Sequence, residues 1–226
     1  MELAENQKES SEWKKGAYLS LGVFMLALLY AVIRYHVLRD IPLSHLPLFT
    51  MNKAIALSSI VLIGLSFSLG PLARFFPRFF ARHTPLRKPL GLLGFAAAGF
   101  HSLLSLTLLS PANYPKLYEE GGRFSLIGET SLLFGALALV VFSIVAVTSI
   151  PSVAERLSPA GWKRAQRLGY LALVFTLVHV AVPSVKGWLD AASYTYGFVS
   201  ISLIAVLFII LVLLLRLLAG AMTPRP

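Results

Sequence analysis

Long uninterrupted apolar runs are the feature that most limits how this chain folds. Six such runs, each of about 20 residues, alternate with short polar segments. A bilayer offers backbone amides no water to hydrogen-bond, so runs of this length cross it as α-helices. Only 13% of the residues are charged, against about 25% in soluble domains. We therefore predict an all-α membrane protein, a bundle of six transmembrane helices.

The boundaries of the spans follow from where the apolar runs begin and end. We expect one transmembrane domain at 17–218, with polar tails at 1–16 and 219–226. Prolines in the second and fourth connections support the breaks, because a proline inside a helix removes a backbone hydrogen bond. The predicted spans are 17–37, 53–72, 89–110, 125–149, 166–185 and 195–218.

The Lys and Arg residues are divided unequally between the two sides of this bundle. Fourteen lie on the side of the two termini and six on the other. Positive residues are enriched in cytoplasmic loops, so we expect both termini in the cytoplasm, in a multi-pass protein of the cell inner (plasma) membrane. Topology then explains the net charge of +10. We expect contact with membrane lipid and none with nucleic acid.

Several classes of chemistry are excluded by residues that the sequence lacks. It has no cysteine, which excludes disulfides, iron–sulfur clusters and cysteine nucleophiles. It has no HExxH motif of a metalloprotease. No Asp or Glu falls at the centre of a predicted span, which argues against an ion-coupled transporter. A small non-redox transporter or scaffold protein remains the alternative function.

Two histidines stand out, because ionisable side chains inside a membrane are costly and mark functional positions. His101 in the third span is 13 residues beyond Lys88, and His179 in the fifth is 12 residues beyond Arg167. At about 1.5 Å per residue, both lie roughly 18–20 Å from the cytoplasmic end. Two imidazoles at one depth on parallel helices can bind one iron from opposite sides, as the axial ligands of a b-type haem do.

The alternative for each histidine is a hydrogen bond to a neighbouring helix, which is common in membranes. Their equal depth, with no acidic residue buried beside them, favours the haem. The small residues at 96–99 precede His101 and would let a flat macrocycle or another helix approach closely.

Four fragments of the sequence carry a resemblance to a known family: GPLARFF at 70–76, RKPLGLLGFAAAGFH at 87–101, LTLLS at 106–110 and GWKRAQRLGYLALVFTLVHV at 161–180. Their order and placement resemble the ferric-reductase-like transmembrane domain superfamily. They look closest to MsrQ (YedZ), the haem-binding membrane subunit of a periplasmic methionine sulfoxide reductase system. The STEAP metalloreductases and NADPH oxidases are more distant relatives.

The resemblance implies that His101 and His179 are the axial ligands of a haem b. The MsrQ pattern has a further histidine 13 residues before the second ligand, where this chain has Gln166. Arg87 and Lys88 stand where a two-haem relative has a histidine at the inner end of span three. The resemblance therefore implies one haem, as in STEAP proteins, and transmembrane electron transfer. Whether the chain is itself an oxidoreductase or the haem-binding subunit of one stays open.

The cytoplasmic loops are the predicted place where electrons enter. The chain has no Gly-rich dinucleotide motif, so we expect a separate cytoplasmic reductase, a quinone, or a bound FMN or FAD to supply them. Guanidinium groups bind phosphate in bidentate fashion, and an indole can stack on a flavin ring. Basic residues in inner loops can also serve only to set the membrane topology and to contact anionic lipid. The alternative that these residues bind no cofactor therefore stays open. The candidate residues are Arg74, Arg78, Arg87, Lys88, Trp162, Arg164, Gln166 and Arg167.

The opposite face is the predicted place of reduction. Its candidate residues are His45, Lys53 and Arg123, because positive groups hold an anionic metal chelate or dock an acidic partner. The expected acceptor is a periplasmic oxidoreductase subunit such as a methionine sulfoxide reductase, or else ferric or cupric ion. Short outer loops favour the partner protein. We also expect Glu129 to pair with Arg123 or Lys53.

Overall fold

The computed structural model describes residues 2–194 and 196–222, and its regular structure is helical. Thr195, the first residue of the predicted sixth span, and Arg225 of the predicted C-terminal tail lie outside the described residues. Within the described part there is no strand beyond one isolated bridge between Tyr118 and Phe124. The six long helices are α1 (Glu2–Val32), α2 (Met51–Phe75), α3 (Arg87–Thr107), α4 (Leu126–Val147), α5 (Pro159–Ala181) and α6 (Ile201–Ala221).

Among the described residues, five helical segments are long and apolar enough to cross a membrane: Glu9–Val37, Leu43–Phe75, Pro77–Thr107, Leu126–Val147 and Ile201–Ala221. The other long helix, α5, has 23 residues, but Lys163, Arg164 and Arg167 make its first half polar. It packs along α4 and α6 as part of the same bundle. The prediction of an all-α membrane bundle is confirmed, and the six predicted spans correspond to the six long helices.

Three predicted starts differ from the structure by more than two residues: α1 and α5 begin earlier than their apolar runs predict, and α6 begins later, at Ile201 instead of 195. α1 extends into the polar N-terminal stretch, where Glu12 and Lys15 pair at 2.8 Å one turn apart. α5 begins at Pro159 instead of 166, because Ser158 caps it by accepting a hydrogen bond from the Gly161 N–H at 3.1 Å. Proline suits the first helical position, whose N–H has no partner inside the helix. Capping residues, rather than hydropathy, set the starts of α5 and α6, because Ser200 likewise accepts a hydrogen bond from the Leu203 N–H at 3.2 Å.

The bundle has two chemically different ends. We call the end where α3 and α5 begin the basic end, since Arg87, Lys88 and Lys163 lie there. The opposite end, where α3 and α5 finish, is the far end. At the basic end, Glu9 and Lys88 form an ion pair at 2.6 Å that joins α1 to α3.

At the far end, Arg34 is 2% exposed and donates to the carbonyl oxygens of Phe198 and Ser193. It lies in the π-helical turn Ile33–Val37 that continues α1. Arg34 is one of the six basic residues predicted on this side, and it fastens α1 to the connection that precedes α6.

α2 is the central helix of the bundle. It packs against α1, α3 and α6, while α4 packs mainly against α5. α3 and α4 touch at few positions, so the bundle consists of an α2–α3 pair and an α4–α5 pair, which α6 joins by packing on α2 and α5. Small residues let the first pair approach closely: a Cβ added at Gly94 would lie 2.9 Å from the backbone nitrogen of Ile63. The two predicted haem ligands lie one in each pair.

Candidate haem site

His101 on α3 and His179 on α5 share one pattern of hydrogen bonding. Each is half-buried, and the Nδ1 of each lies 2.8 Å from an oxygen on the neighbouring helix of its own pair. A carbonyl-type oxygen only accepts, so Nδ1 carries the proton in both imidazoles. The Nε2 lone pair of each is then available, and Nε2 makes no hydrogen bond within the described part of the chain.

The partner of His101 is the side chain of Asn52. The amide oxygen of Asn52 accepts from His101 Nδ1, and its NH₂ group lies 2.9 Å from Ser105 Oγ and 3.4 Å from the Tyr114 hydroxyl. Ser105 is one turn after His101 on α3, so both side chains lie on the face that meets α2. Tyr114 reaches the same amide from the connection between α3 and α4.

The partner of His179 is the backbone carbonyl of Ser131 on α4. The Ser131 hydroxyl in turn donates to the His179 carbonyl at 2.9 Å, so the two helices are linked in both directions. Gly135, one turn further along α4, allows the ring to lie close: a Cβ there would be 2.8 Å from His179 Nδ1. A glycine at this position therefore leaves room for the imidazole.

The two histidines fit a haem better than a metal ion bound by protein alone. Across residues 2–194 and 196–222, no three His, Cys, Asp or Glu side chains group closely enough to hold a metal ion. A haem iron needs only two axial ligands from the protein, because its macrocycle supplies the others. His101 lies in one helix pair and His179 in the other, on either side of the sparsely packed boundary between α3 and α4.

A cavity of about 450 Å³ opens at the basic end. This volume lies within the range of about 300–1,000 Å³ typical of small-molecule sites. Its inner part is apolar, with Ile63, Phe67, Phe95 and Phe142. Its polar lining includes Thr84, Arg87, Lys88, Ser149, Trp162 and Gln166.

The cavity brings together four of the eight residues predicted for a flavin or donor site: Arg87, Lys88, Trp162 and Gln166. Their side chains are held in place. Arg87 Nε donates to the Ser66 carbonyl at 3.3 Å, and Trp162 Nε1 donates to the Thr148 carbonyl at 3.0 Å. Gln166 donates to three oxygens at the end of α4 and in the residues after it.

The other four predicted residues do not line the cavity. Arg78, Arg164 and Arg167 are exposed, and Arg74 donates to the Ala219 carbonyl on α6 at 3.3 Å. Helical geometry explains part of this difference. Trp162 and Gln166 are four residues apart and share one face of α5, whereas Arg164 lies between them on another face. Counting basic residues in a loop could not make that distinction.

Two of the three predicted acceptor-side residues meet at the far end. Lys53 Nζ lies 4.4 Å from the Phe49 ring centroid, a cation–π contact, and His45 packs edge-on against the same ring at 6.3 Å. Arg123 is exposed in a turn outside this group. The expected ion pair of Glu129 with Arg123 or Lys53 is wrong within the described residues, where the ion pairs are elsewhere.

The residues that orient the two histidines are not evident from the sequence. Asn52 and Ser131 carry no charge, so a search for ionisable groups in the spans passes over them. Asn52 is 2% exposed, and a buried amide needs hydrogen-bond partners. An asparagine near the start of an apolar span is therefore the signal that could have identified it.

Comparison with known proteins gives one family. The family model described as ferric reductase like transmembrane component matches residues 53–177, more than half of the chain. Metalloreductase STEAP2 of Mus musculus is 30% identical over 179 residues, 67% of this chain and 36% of its own length. Metalloreductase STEAP3 of Rattus norvegicus is 29% identical over 215 residues, 79% of this chain and 42% of its own. The chain thus spans less than half the length of these relatives.

Proposed function

Because the chain belongs to the family of ferric reductase-like transmembrane components, we propose that it carries electrons across the membrane through one b-type haem held by His101 and His179. The observation that supports this most is the matched hydrogen bonding of the two rings, in which each Nδ1 donates at 2.8 Å. A bound haem would supply the one-electron iron couple. The chain's own residues present two Nε2 lone pairs and fix both ring orientations.

Electrons enter at the basic end in this proposal, which takes that end as cytoplasmic and the membrane as the inner (plasma) membrane. The 450 Å³ cavity would hold FMN or FAD, with Arg87 and Lys88 against its phosphate and Trp162 beside its ring. Lys88 already pairs with Glu9 at 2.6 Å, so a phosphate would have to compete with that carboxylate. A quinone is the alternative donor, because the inner part of the cavity is apolar.

Electrons leave at the far end. The relatives are metalloreductases by name, which makes ferric or cupric ion, held as an anionic chelate near Lys53 and His45, the first candidate acceptor. A periplasmic oxidoreductase subunit is the second, and its docking on the same residues would also use their positive charge.

An absorption spectrum of the detergent-purified protein, oxidised and then reduced with dithionite, tests the proposal. We expect sharp reduced α and β bands and a pyridine haemochrome count of one b-type haem per chain. A colourless protein that also fails to take up added haemin would contradict the proposal and leave a small non-redox transporter or scaffold as the better description.

Filling the cavity tests the donor site separately. Ala146 lines the cavity, so Ala146→Phe is expected to weaken FMN or FAD binding at least about tenfold, measured by the quenching of flavin fluorescence. The haem content should not change, because Ala146 is 15 residues from Ser131, about 22 Å along α4. Val147→Phe is the matched control, since Val147 is 49% exposed. Equal flavin affinity in both variants would argue against a flavin in this cavity.

A further inference from the structure

Asn52 is a buried amide in the first turn of the central helix. Asn52 is 2% exposed, and burying an amide without hydrogen-bond partners is unfavourable. Each polar atom of this amide has a partner: Oδ1 meets His101 Nδ1 at 2.8 Å, and Nδ2 meets Ser105 Oγ and the Tyr114 hydroxyl. These partners come from α3 and from the connection after it. A purely local role in α2 would not require them.

The two histidines differ in the kind of acceptor that they use. His179 donates to the Ser131 carbonyl, which belongs to the backbone of α4. His101 donates to a side chain, so its acceptor depends on the identity of one residue. A substitution can therefore remove one of these two hydrogen bonds while the other is kept.

We infer that Asn52 is the positioning residue of the candidate haem site, holding the proton of His101 on Nδ1 and directing its Nε2 lone pair to the iron. The inference rests on the proposed function. Outer hydrogen-bond partners of this kind fix the tautomer and raise the basicity of an imidazole ligand. Asn52 therefore both strengthens His101 as a ligand and lowers the reduction potential of the haem, since a more basic ligand favours the ferric state.

Tyr114 extends this role to the far end. Its hydroxyl lies 3.4 Å from Asn52 Nδ2, and its ring packs against Phe49 at 6.1 Å between centroids. Phe49 is the ring that His45 and Lys53 contact. The candidate acceptor-side residues and the His101 ligand thus share one chain of contacts through Tyr114 and Asn52.

The test compares Asn52→Leu with Ser58→Ala, a matched control on the same helix. Leucine approximates the size of asparagine without an acceptor, so we expect haem affinity to fall by about 10–100-fold and the midpoint potential of the remaining haem to rise. Ser58 is 3% exposed and its hydroxyl donates to the Ala54 carbonyl of its own helix, so alanine removes a buried polar group that makes no hydrogen bond to either histidine. We expect its haem affinity to stay within about twofold of the unmodified protein, since no hydrogen bond to a ligand is lost. Affinity is measured by haem transfer to apomyoglobin and potential by redox titration of the absorption spectrum.

A second variant covers the case in which Asn52→Leu does not fold. Asn52→Asp keeps an acceptor for His101 and can take hydrogen bonds from the Ser105 and Tyr114 hydroxyls. We expect this variant to retain the haem, because His101 Nδ1 keeps an acceptor, and to lower the midpoint potential, because a carboxylate accepts that proton more strongly than an amide does. Tyr114→Phe should shift the potential in the opposite direction and by less.

The outcomes separate the two proposals. A protein that binds haem, with Asn52→Leu unchanged in affinity and potential, would overturn the role of Asn52 and leave the proposed function standing. An unchanged potential in Asn52→Asp would do the same. A protein that binds no haem at all would overturn both.

Discussion

His101→Ala and His179→Ala are each expected to abolish haem binding, with less than about a tenth of the unmodified haem content remaining. One proposed ligand lies in the α2–α3 pair and the other in the α4–α5 pair, and among the described residues no third His, Cys, Asp or Glu side chain groups with them as a metal ligand. An alanine at either position leaves a haem with one strong protein ligand. The pyridine haemochrome assay on matched protein amounts measures the result.

His83→Ala is the matched control for this prediction. His83 lies in the 3-10 segment Ala81–Leu86 at the basic end, where it accepts from Arg82 Nε at 3.1 Å, and its removal should leave the haem content unchanged. His101→Gly with added imidazole provides a further check, because a free imidazole can occupy the vacated position and restore the spectrum. Full haem content in either alanine variant would contradict the ligand assignment.

Gly94→Ala is expected to have the second large effect, because it forces α2 and α3 apart. The added Cβ would lie 2.8 Å from Ile63 Cγ1, 2.9 Å from the Ile63 backbone nitrogen and 3.0 Å from Leu62 Cβ. Backbone atoms cannot turn aside as a flexible side chain can. Overpacking of this kind costs about 1–3 kcal/mol, and it outweighs the gain of about 1 kcal/mol that alanine brings to a helix. A lower unfolding temperature in detergent is the expected measurement.

Gly99→Ala is the matched control on the same helix. A Cβ at Gly99 would meet nothing within 4 Å, so only the gain in helix propensity remains and stability should be equal or higher. Because Gly94 sets the distance between α2 and α3, its variant should also weaken the contact between Asn52 and His101 and lower the haem affinity. Equal unfolding temperatures for the two variants would show that the helices separate without cost.

The sequence was sufficient to predict the helices, and it singles out two histidines, for reasons that are physical. Lipid requires helices and long apolar runs, so the six spans can be recognised from the sequence without any tertiary information. An imidazole in such a run is rare enough to notice by itself. The predicted start of α5 differs from the start in the structure because the capping residue, Ser158, lies outside the apolar run of this helix.

Residues whose role depends on packing could not be found in the same way. Asn52 is significant only because α3 brings His101 within 2.8 Å of it, and that approach depends on Gly94 rather than on any periodic pattern. The sequence also does not show which basic residues of the loops line the cavity. Arg87 and Lys88 line it, while Arg164 and Arg167 are exposed. The positive charge of these residues predicts that they lie on one side of the membrane. Which of them line the cavity depends on the helix face that each residue occupies.

The division of the bundle into two helix pairs has a consequence for biogenesis. His101 takes its acceptor from α2, its neighbour in one pair, and His179 takes its acceptor from α4, its neighbour in the other. Each half of the site is therefore complete as soon as two sequence-adjacent helices have inserted and packed. Under the proposed function, haem loading would then follow insertion as a late step, with both proposed ligands already oriented by their neighbouring helices.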